Sequence, residues 1–247
     1  MILSLDRVCV DYGTGPSTFR AVHDITLTIA EGTVLGLVGE SGSGKSTLGR
    51  AIAGLEPVSA GGLDTSNLPT RDGRYPVQYI FQDASSAFNP RMTIGRIIAE
   101  GVGPAARNRK QLRQVVEDLM NQVHLDPTTA MKRPSQLSGG QRQRVAIARA
   151  LAVNPAVLVA DEITSALDAS VQAAVLNLLW ELKKHRDFTM IFISHDISVV
   201  NYLSDEIVVM KDGRVVEQGT TQAVIWEPRE TYTQELLAAV PTIPYSR

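Results

Sequence analysis

The chain has 247 residues, 44% of them hydrophobic, enough to bury the core of one large α/β domain or of one domain with a helical insert. Its 24 basic and 26 acidic residues nearly cancel, which argues against a dedicated nucleic-acid binder. The single cysteine, Cys9, excludes an internal disulfide and a cysteine-ligated metal or iron–sulfur cluster, and points to a reducing compartment.

Residues 2–11 and 25–29 alternate apolar and polar side chains, as half-buried strands do, with a turn at 13–17 between them. A second turn at Glu31-Gly32 precedes a buried strand over 34–38 that runs straight into a glycine-rich loop. A helix follows over 45–54, ended by Gly54. Residues 56–76 are rich in Pro, Gly, Ser, Thr and Asp and read as an exposed connection; 77–81 read as a strand. From about 92 to 136 the apolar residues Ile94, Ile97, Ile98, Leu112, Val115, Val116, Leu119, Met120 and Val123 fall at helical spacing, which predicts a helical insert. Further on, a helix is expected over 139–152, a buried strand over 156–160, a long helix over 169–185 and a strand over 189–193. Val171, Val175, Leu178, Leu179 and Leu182 share one face of the long helix. The run at 207–210 is strand-sized. Strands alternating with helices imply a largely parallel sheet. No apolar run reaches the roughly 18–20 residues that span a bilayer, and the N-terminus lacks a signal-peptide pattern. The expectation is a cytoplasmic protein that meets a membrane only through partners.

The first chemical motif is Gly39-Glu40-Ser41-Gly42-Ser43-Gly44-Lys45-Ser46-Thr47, set between strand and helix. Gly42, Ser43 and Gly44 allow consecutive backbone N–H groups to converge on phosphate oxygens, and the helix start adds its positive end. Lys45 is expected on the β/γ-phosphates, and the Ser46 hydroxyl on Mg²⁺. The strand at 157–160 runs into two carboxylates. Asp161 suits Mg²⁺, and Glu162 suits a base that polarises the attacking water. Gln82, just past a strand, is either an ordinary polar strand end or a ligand for metal or water. His195 lies beyond the strand at 189–193, where open α/β sheets bind ligands, so it is either structural or a γ-phosphate contact. Tyr12, in a turn upstream of the loop, could stack on adenine, with Phe19 as the runner-up. Ser138-Gly139-Gly140-Gln141 opens the helix at 139–152. Ser138 reads as an N-cap, and the helix start reads as a second anion site far from the first.

Taken together, these residues resemble the ATP-binding cassette family over nearly the whole chain. Tyr12 matches the A-loop aromatic, 39–47 the Walker A motif, Gln82 the Q-loop and 137–141 the signature. Residues 157–162 match Walker B, Ser165-Ala166-Leu167-Asp168 the D-loop, and His195 the switch histidine. The resemblance implies an α/β fold: a P-loop NTPase core with a mainly parallel sheet, an N-terminal antiparallel β subdomain and an inserted α-helical subdomain. It would be a single domain over 1–247, with the core in 1–90 and 154–247 and the helical subdomain in about 91–153. ATP and Mg²⁺ are the implied cofactors. Gly39, Ser41 and Thr47 join the loop residues around the nucleotide, and Ser46, Gln82 and Asp161 form the metal set. Glu162, His195, Gln82 and Lys45 form the catalytic set. Ser138, Gly139, Gly140, Gln141 and Asp168 would face nucleotide held by a second cassette in a head-to-tail dimer. The implied partners are that second ATPase subunit, two transmembrane permeases and, indirectly, an extracytoplasmic solute-binding protein; nucleic acid is not among them. The implied place is the cytoplasmic face of the plasma membrane.

The segment Ser85-Ser86-Ala87-Phe88-Asn89-Pro90-Arg91-Met92-Thr93 and the tail from Tyr232 to Pro241 are similar to the oligopeptide, dipeptide and nickel importer group. That implies uptake of peptides, nickel or metal–chelator complexes, with another solute or a soluble non-transport ATPase as alternatives. Two departures stand out: Ile163 follows Glu162 where the family usually has proline, and Ala84 follows Asp83 likewise. The first puts the rate of hydrolysis in doubt.

Overall fold

A computed structural model describes residues 2–69, 75–83, 87–102 and 108–239. In chain order the elements begin with β1 (Leu3–Tyr12), β2 (Phe19–Ile29), β3 (Val34–Val38), α1 (Lys45–Ile52), β4 (Ala60–Asp64) and β5 (Val77–Ile80). There follow α2 (Ile94–Val102), α3 (Arg109–Gln122), α4 (Gly139–Ala152), β6 (Val157–Asp161), α5 (Ala169–His185) and β7 (Thr189–Ser194). The chain continues with α6 (Ile197–Leu203), β8 (Glu206–Lys211), β9 (Arg214–Thr220), α7 (Thr221–Trp226) and α8 (Thr231–Ala238). They gather into two compact units, one from Met1–Leu68 with Phe188–Arg247, the other from Pro69–Asp187.

In the first unit, β3 lies between β7 and β8, parallel to both, and β9 closes antiparallel on β8. All five residues of β3 are buried, as befits a parallel strand flanked on both sides. Gly36 at its centre admits α6: a Cβ there would lie 2.1 Å from Val200 Cγ1. A separate antiparallel sheet has the order β2-β1-β4. Its third strand corrects the expectation of an exposed connection over 56–76. Residues 60–64 pair with β1 from Ser4↔Asp64 to Cys9↔Ala60. They carry no hydrophobic pattern because the strand is mostly solvent-facing. Residues 70–74 of that expected connection lie outside the described residues. β1 also departs from simple alternation. It bulges at Arg7, whose φ is 47°, and Val8, Cys9 and Val10 are all buried in succession. β2 starts six residues earlier than the alternation at 25–29 indicates. α1 ends as its glycine foretells: Gly54, at φ 70°, donates to Ala51 O, and Leu55 donates to Arg50 O.

In the second unit, β5 and β6 pair in parallel from Val77↔Val157 to Ile80↔Ala160. Ile94, Ile97 and Ile98 of α2, Val116, Leu119 and Met120 of α3, and Val145 and Ile147 of α4 are all buried, so the expected helical insert is present. Gly101 lets α2 approach α4 closely, since a Cβ there would meet Arg149 O at 2.5 Å. α4 and α5 have the expected limits, although Val171 on α5 is only half-buried. No helix among the described residues is long and apolar enough to cross a membrane.

Candidate functional site

The glycine loop leaves the buried strand β3 and enters α1 through three residues of positive φ: Gly39 at 153°, Gly42 at 83° and Gly44 at 94°. Two of these glycines are demanded by neighbouring backbone. A Cβ on Gly39 would fall 2.1 Å from Met210 O, and one on Gly44 would fall 2.6 Å from Ala21 O. Gly42 faces open space, so there only its φ requires glycine. Lys45 is 4% exposed, and its ammonium donates to Gly39 O and Glu40 O, both at 2.7 Å, and to Ser43 Oγ at 3.2 Å. A buried cation held by neutral carbonyls and a hydroxyl is poised for an anion, whose charge-assisted hydrogen bonds are stronger. The start of α1 adds its positive end at the same place, with Ser41 exposed on the loop and Ser46 and Thr47 half-buried on the first turn.

Tyr12 is the last residue of β1 rather than part of a turn, and its hydroxyl donates to Thr47 Oγ1 at 3.4 Å. Phe19 sits opposite it in register and is 66% exposed. Val38 pairs with Ser194, so Gly39 and the exposed His195 leave adjacent strand ends.

In the second unit, Asp161 ends β6 with 3% exposure and accepts the Tyr79 hydroxyl at 2.5 Å. Glu162 takes a left-handed φ of 46°, an uncommon and strained state for a non-glycine residue. Its carboxylate accepts Gln82 Nε2 at 3.0 Å, and the same amide donates to Ser165 Oγ at 3.2 Å. Ser165 in turn donates its hydroxyl to Glu162 O at 2.9 Å. Thus the structure brings Gln82 and Glu162 together, with Ser165 bracing both, and Ile163 is buried. Tyr79 is absent from the sequence-derived site, and Ser165 enters it only as the first residue of the D-loop match, with no role of its own. Tyr79 was findable, as a hydroxyl on an otherwise apolar strand that pairs with the strand carrying Asp161.

Ser138 caps α4 through a reciprocal pair: Gln141 N–H donates to Ser138 Oγ at 3.3 Å, and Ser138 N–H donates to Gln141 Oε1 at 3.0 Å. Gly139 is exposed. Gly140 is buried where a Cβ would lie 2.4 Å from Val171 Cγ1, so it serves helix packing as well as any anion. Asp168 caps α5, accepting Ser170 Oγ at 2.6 Å and Val171 N–H at 3.0 Å. The Ser170 hydroxyl, then the Val171 amide, hold its carboxyl below the ordinary value. Ala84, Ser85 and Ser86, and the tail from Val240 on, lie outside the described residues.

A family model described as "ABC transporter" matches residues 22–165. The chain is 46% identical over 240 residues to the oligopeptide transport ATP-binding protein OppF of Lactococcus lactis, a match covering 92% of this chain and 74% of the relative. It is 42% identical over 251 residues to the OppF of Bacillus subtilis, covering 97% of this chain and 82% of that protein. Among solved structures it is similar to the cassette MJ0796, determined as a dimer in a post-hydrolysis state bound to ADP and Pi. That match has a TM-score of 0.78 and 30% identity, covering 89% of this chain and 98% of that one.

Proposed function

Because this chain belongs to the ATP-binding cassette transporter family, we propose that it is the ATP-hydrolysing subunit of a peptide importer. Its partners are two membrane permeases and a second cassette, copy or sibling, and a solute-binding protein outside the membrane delivers the peptide. The OppF relatives support the peptide as cargo, and the dimeric ADP-bound cassette supports the head-to-tail pair. The subunit works at the cytoplasmic face of the membrane, held there by the permeases.

The observation that carries the reading is the joint presence of a buried, carbonyl-held Lys45 in a positive-φ glycine loop and a Glu162 carboxylate held by Gln82. Lys45 exchanges its carbonyl partners for the β/γ-phosphates, while the N–H groups from Gly42 to Thr47 bind the remaining oxygens. Tyr12 packs on the adenine. Glu162 orients and polarises the attacking water, Gln82 fixes the carboxylate rotamer, and His195 contacts the γ-phosphate. The donor set of Ser46 hydroxyl, Asp161 carboxylate and Gln82 amide offers oxygen atoms, the class that Mg²⁺ takes. Mg²⁺, when bound, neutralises charge on the phosphate oxygens. Ser138, Gly139, Gly140, Gln141 and Asp168 serve the nucleotide of the partner cassette. The exposed Arg91 and Arg96, within 88–100, belong to the surface that receives a permease.

The test is Glu162→Gln. Loss of the base predicts hydrolysis down by at least ~100-fold with ATP still bound, and an ATP-trapped dimer on size exclusion. Turnover at the wild-type rate rejects the role of Glu162.

A further inference from the structure

The tail helix α8 reaches the glycine loop, and nothing in the proposed chemistry accounts for that contact. Tyr232 is 7% exposed, and its phenol oxygen accepts the Glu40 N–H at 3.0 Å. Glu40 N–H and Gly39 C=O are the two ends of one peptide unit. Lys45 holds the carbonyl end at 2.7 Å, and Tyr232 holds the amide end. Neighbouring elements fix the tyrosine in place. The Lys211 ammonium lies 4.4 Å from the centre of its ring, next to Met210, whose carbonyl backs Gly39. Both carboxylate oxygens of Glu217 on β9 secure the start of α8, accepting Arg229 N–H at 2.9 Å and Glu230 N–H at 3.3 Å. β9 pairs with β8, and β8 with β3, so the tyrosine and the loop rest on the same strands.

We propose that Tyr232 is a positioning residue for ATP binding, which keeps the Gly39–Glu40 peptide oriented when Lys45 turns from the loop carbonyls to the phosphates. This rests on the reading of the glycine loop as the ATP phosphate site. Without nucleotide the peptide is pinned at both ends. With nucleotide the lysine leaves, and the tyrosine is the hold that remains on that peptide. A loop kept in its binding shape loses less conformational freedom on taking up ATP, so the effect falls on affinity rather than on the chemical step.

The experiment uses the full-length chain with Tyr232→Phe, which keeps the ring and its lysine contact and removes only the acceptor oxygen. Titration with a fluorescent ATP analogue is expected to show Kd raised about threefold to tenfold, the range for losing one neutral hydrogen bond. KM for ATP should rise in step, with kcat within about twofold of wild type. Amide exchange at Glu40 should be faster in the variant without nucleotide. Wild-type Kd and KM in the variant, or a fall in kcat at unchanged KM, overturns the proposal. Wild-type protein that fails to bind the analogue overturns the ATP-site reading itself. Tight wild-type binding matched by the variant overturns only the role of Tyr232.

Discussion

Gly140 shows how one residue can hold a motif position for two physical reasons. Its place at the start of α4 suits an anion, yet its missing side chain is also what lets Val171 of α5 sit above it. In Gly140→Ala the new Cβ would lie 2.4 Å from a β-branched methyl that has few rotamers to move into. A cost of about 1–3 kcal/mol is expected from overpacking, read as a fall of several degrees in Tm without nucleotide. Val171→Ala in the same chain should restore most of it; an unchanged Tm in the single variant would remove the packing role. The sequence shows the glycine but not the valine 31 positions later, because that contact exists only once two helices pack. Tyr79 is a similar case. Its hydroxyl meets the buried Asp161 carboxylate only through the parallel register of β5 and β6. On the proposal that Asp161 holds Mg²⁺ for hydrolysis, Tyr79→Phe should raise the Mg²⁺ concentration needed for half-maximal turnover by ~10-fold, as removal of a metal ligand's hydrogen-bond partner commonly does. By contrast, the glycine loop with Lys45, and the carboxylates at the end of β6, are legible because their chemistry is set by consecutive residues.

At the level of elements, legibility follows burial. α4 and α5 match their expected limits because each is capped by a side chain next to its first turn, Ser138 and Asp168, and each buries an apolar face. β3 and the 190–193 stretch of β7 are buried apolar runs. β4 gives no such signal, since Ala60-Gly61-Gly62-Leu63-Asp64 at a sheet edge is mostly exposed and composed like a loop. What holds it is geometry at one residue. Gly61 has φ 85°, and a Cβ there would fall 2.1 Å from Arg7 O, at the bulge of β1. Gly61→Ala must therefore open the β1–β4 pairing or move the bulge, with an expected loss of roughly 2 kcal/mol or more. Thermal unfolding and faster proteolysis near residues 60–64 would read it out, and wild-type values in both would refute the pairing. The short helices α6 and α7 give little sequence signal for another reason. Seven and six residues are too few for a helical period to stand out, and the capping residues Asp196 and Thr220 are the only local cue.

Across the whole molecule, several carboxylates are held below their ordinary values by contacts that the folded chain makes. Arg20 does this to Asp11, the Ser66 N–H to Asp64, the Thr128 N–H to Asp126 and the Ser170 hydroxyl to Asp168. For Glu217, burial pushes the other way, but the Arg229 amide, the Thr233 hydroxyl and the Glu230 amide together outweigh it. A group whose folded value lies below its unfolded value stabilises fully above the unfolded value and ceases to do so as pH falls through the folded one. These five therefore contribute from neutral pH down to about pH 5, and the contribution drains away below about pH 4. General charge acts in the same window. As the 26 acidic residues protonate, the charges of 24 Lys and Arg and 4 His are left without counterparts, and self-repulsion grows. Salt separates the two, because it screens repulsion between distant exposed charges far more than hydrogen bonds within one turn. Urea midpoints measured from pH 7 to pH 3 should thus fall below about pH 4 in both low and high salt, less steeply in high salt. Asp126→Asn and Asp168→Asn keep a side chain that can cap but cannot titrate, so the double variant should lose stability more gently with acid. A double variant with the wild-type slope at high salt would show that the Asp126 and Asp168 carboxyls contribute nothing to the acid sensitivity.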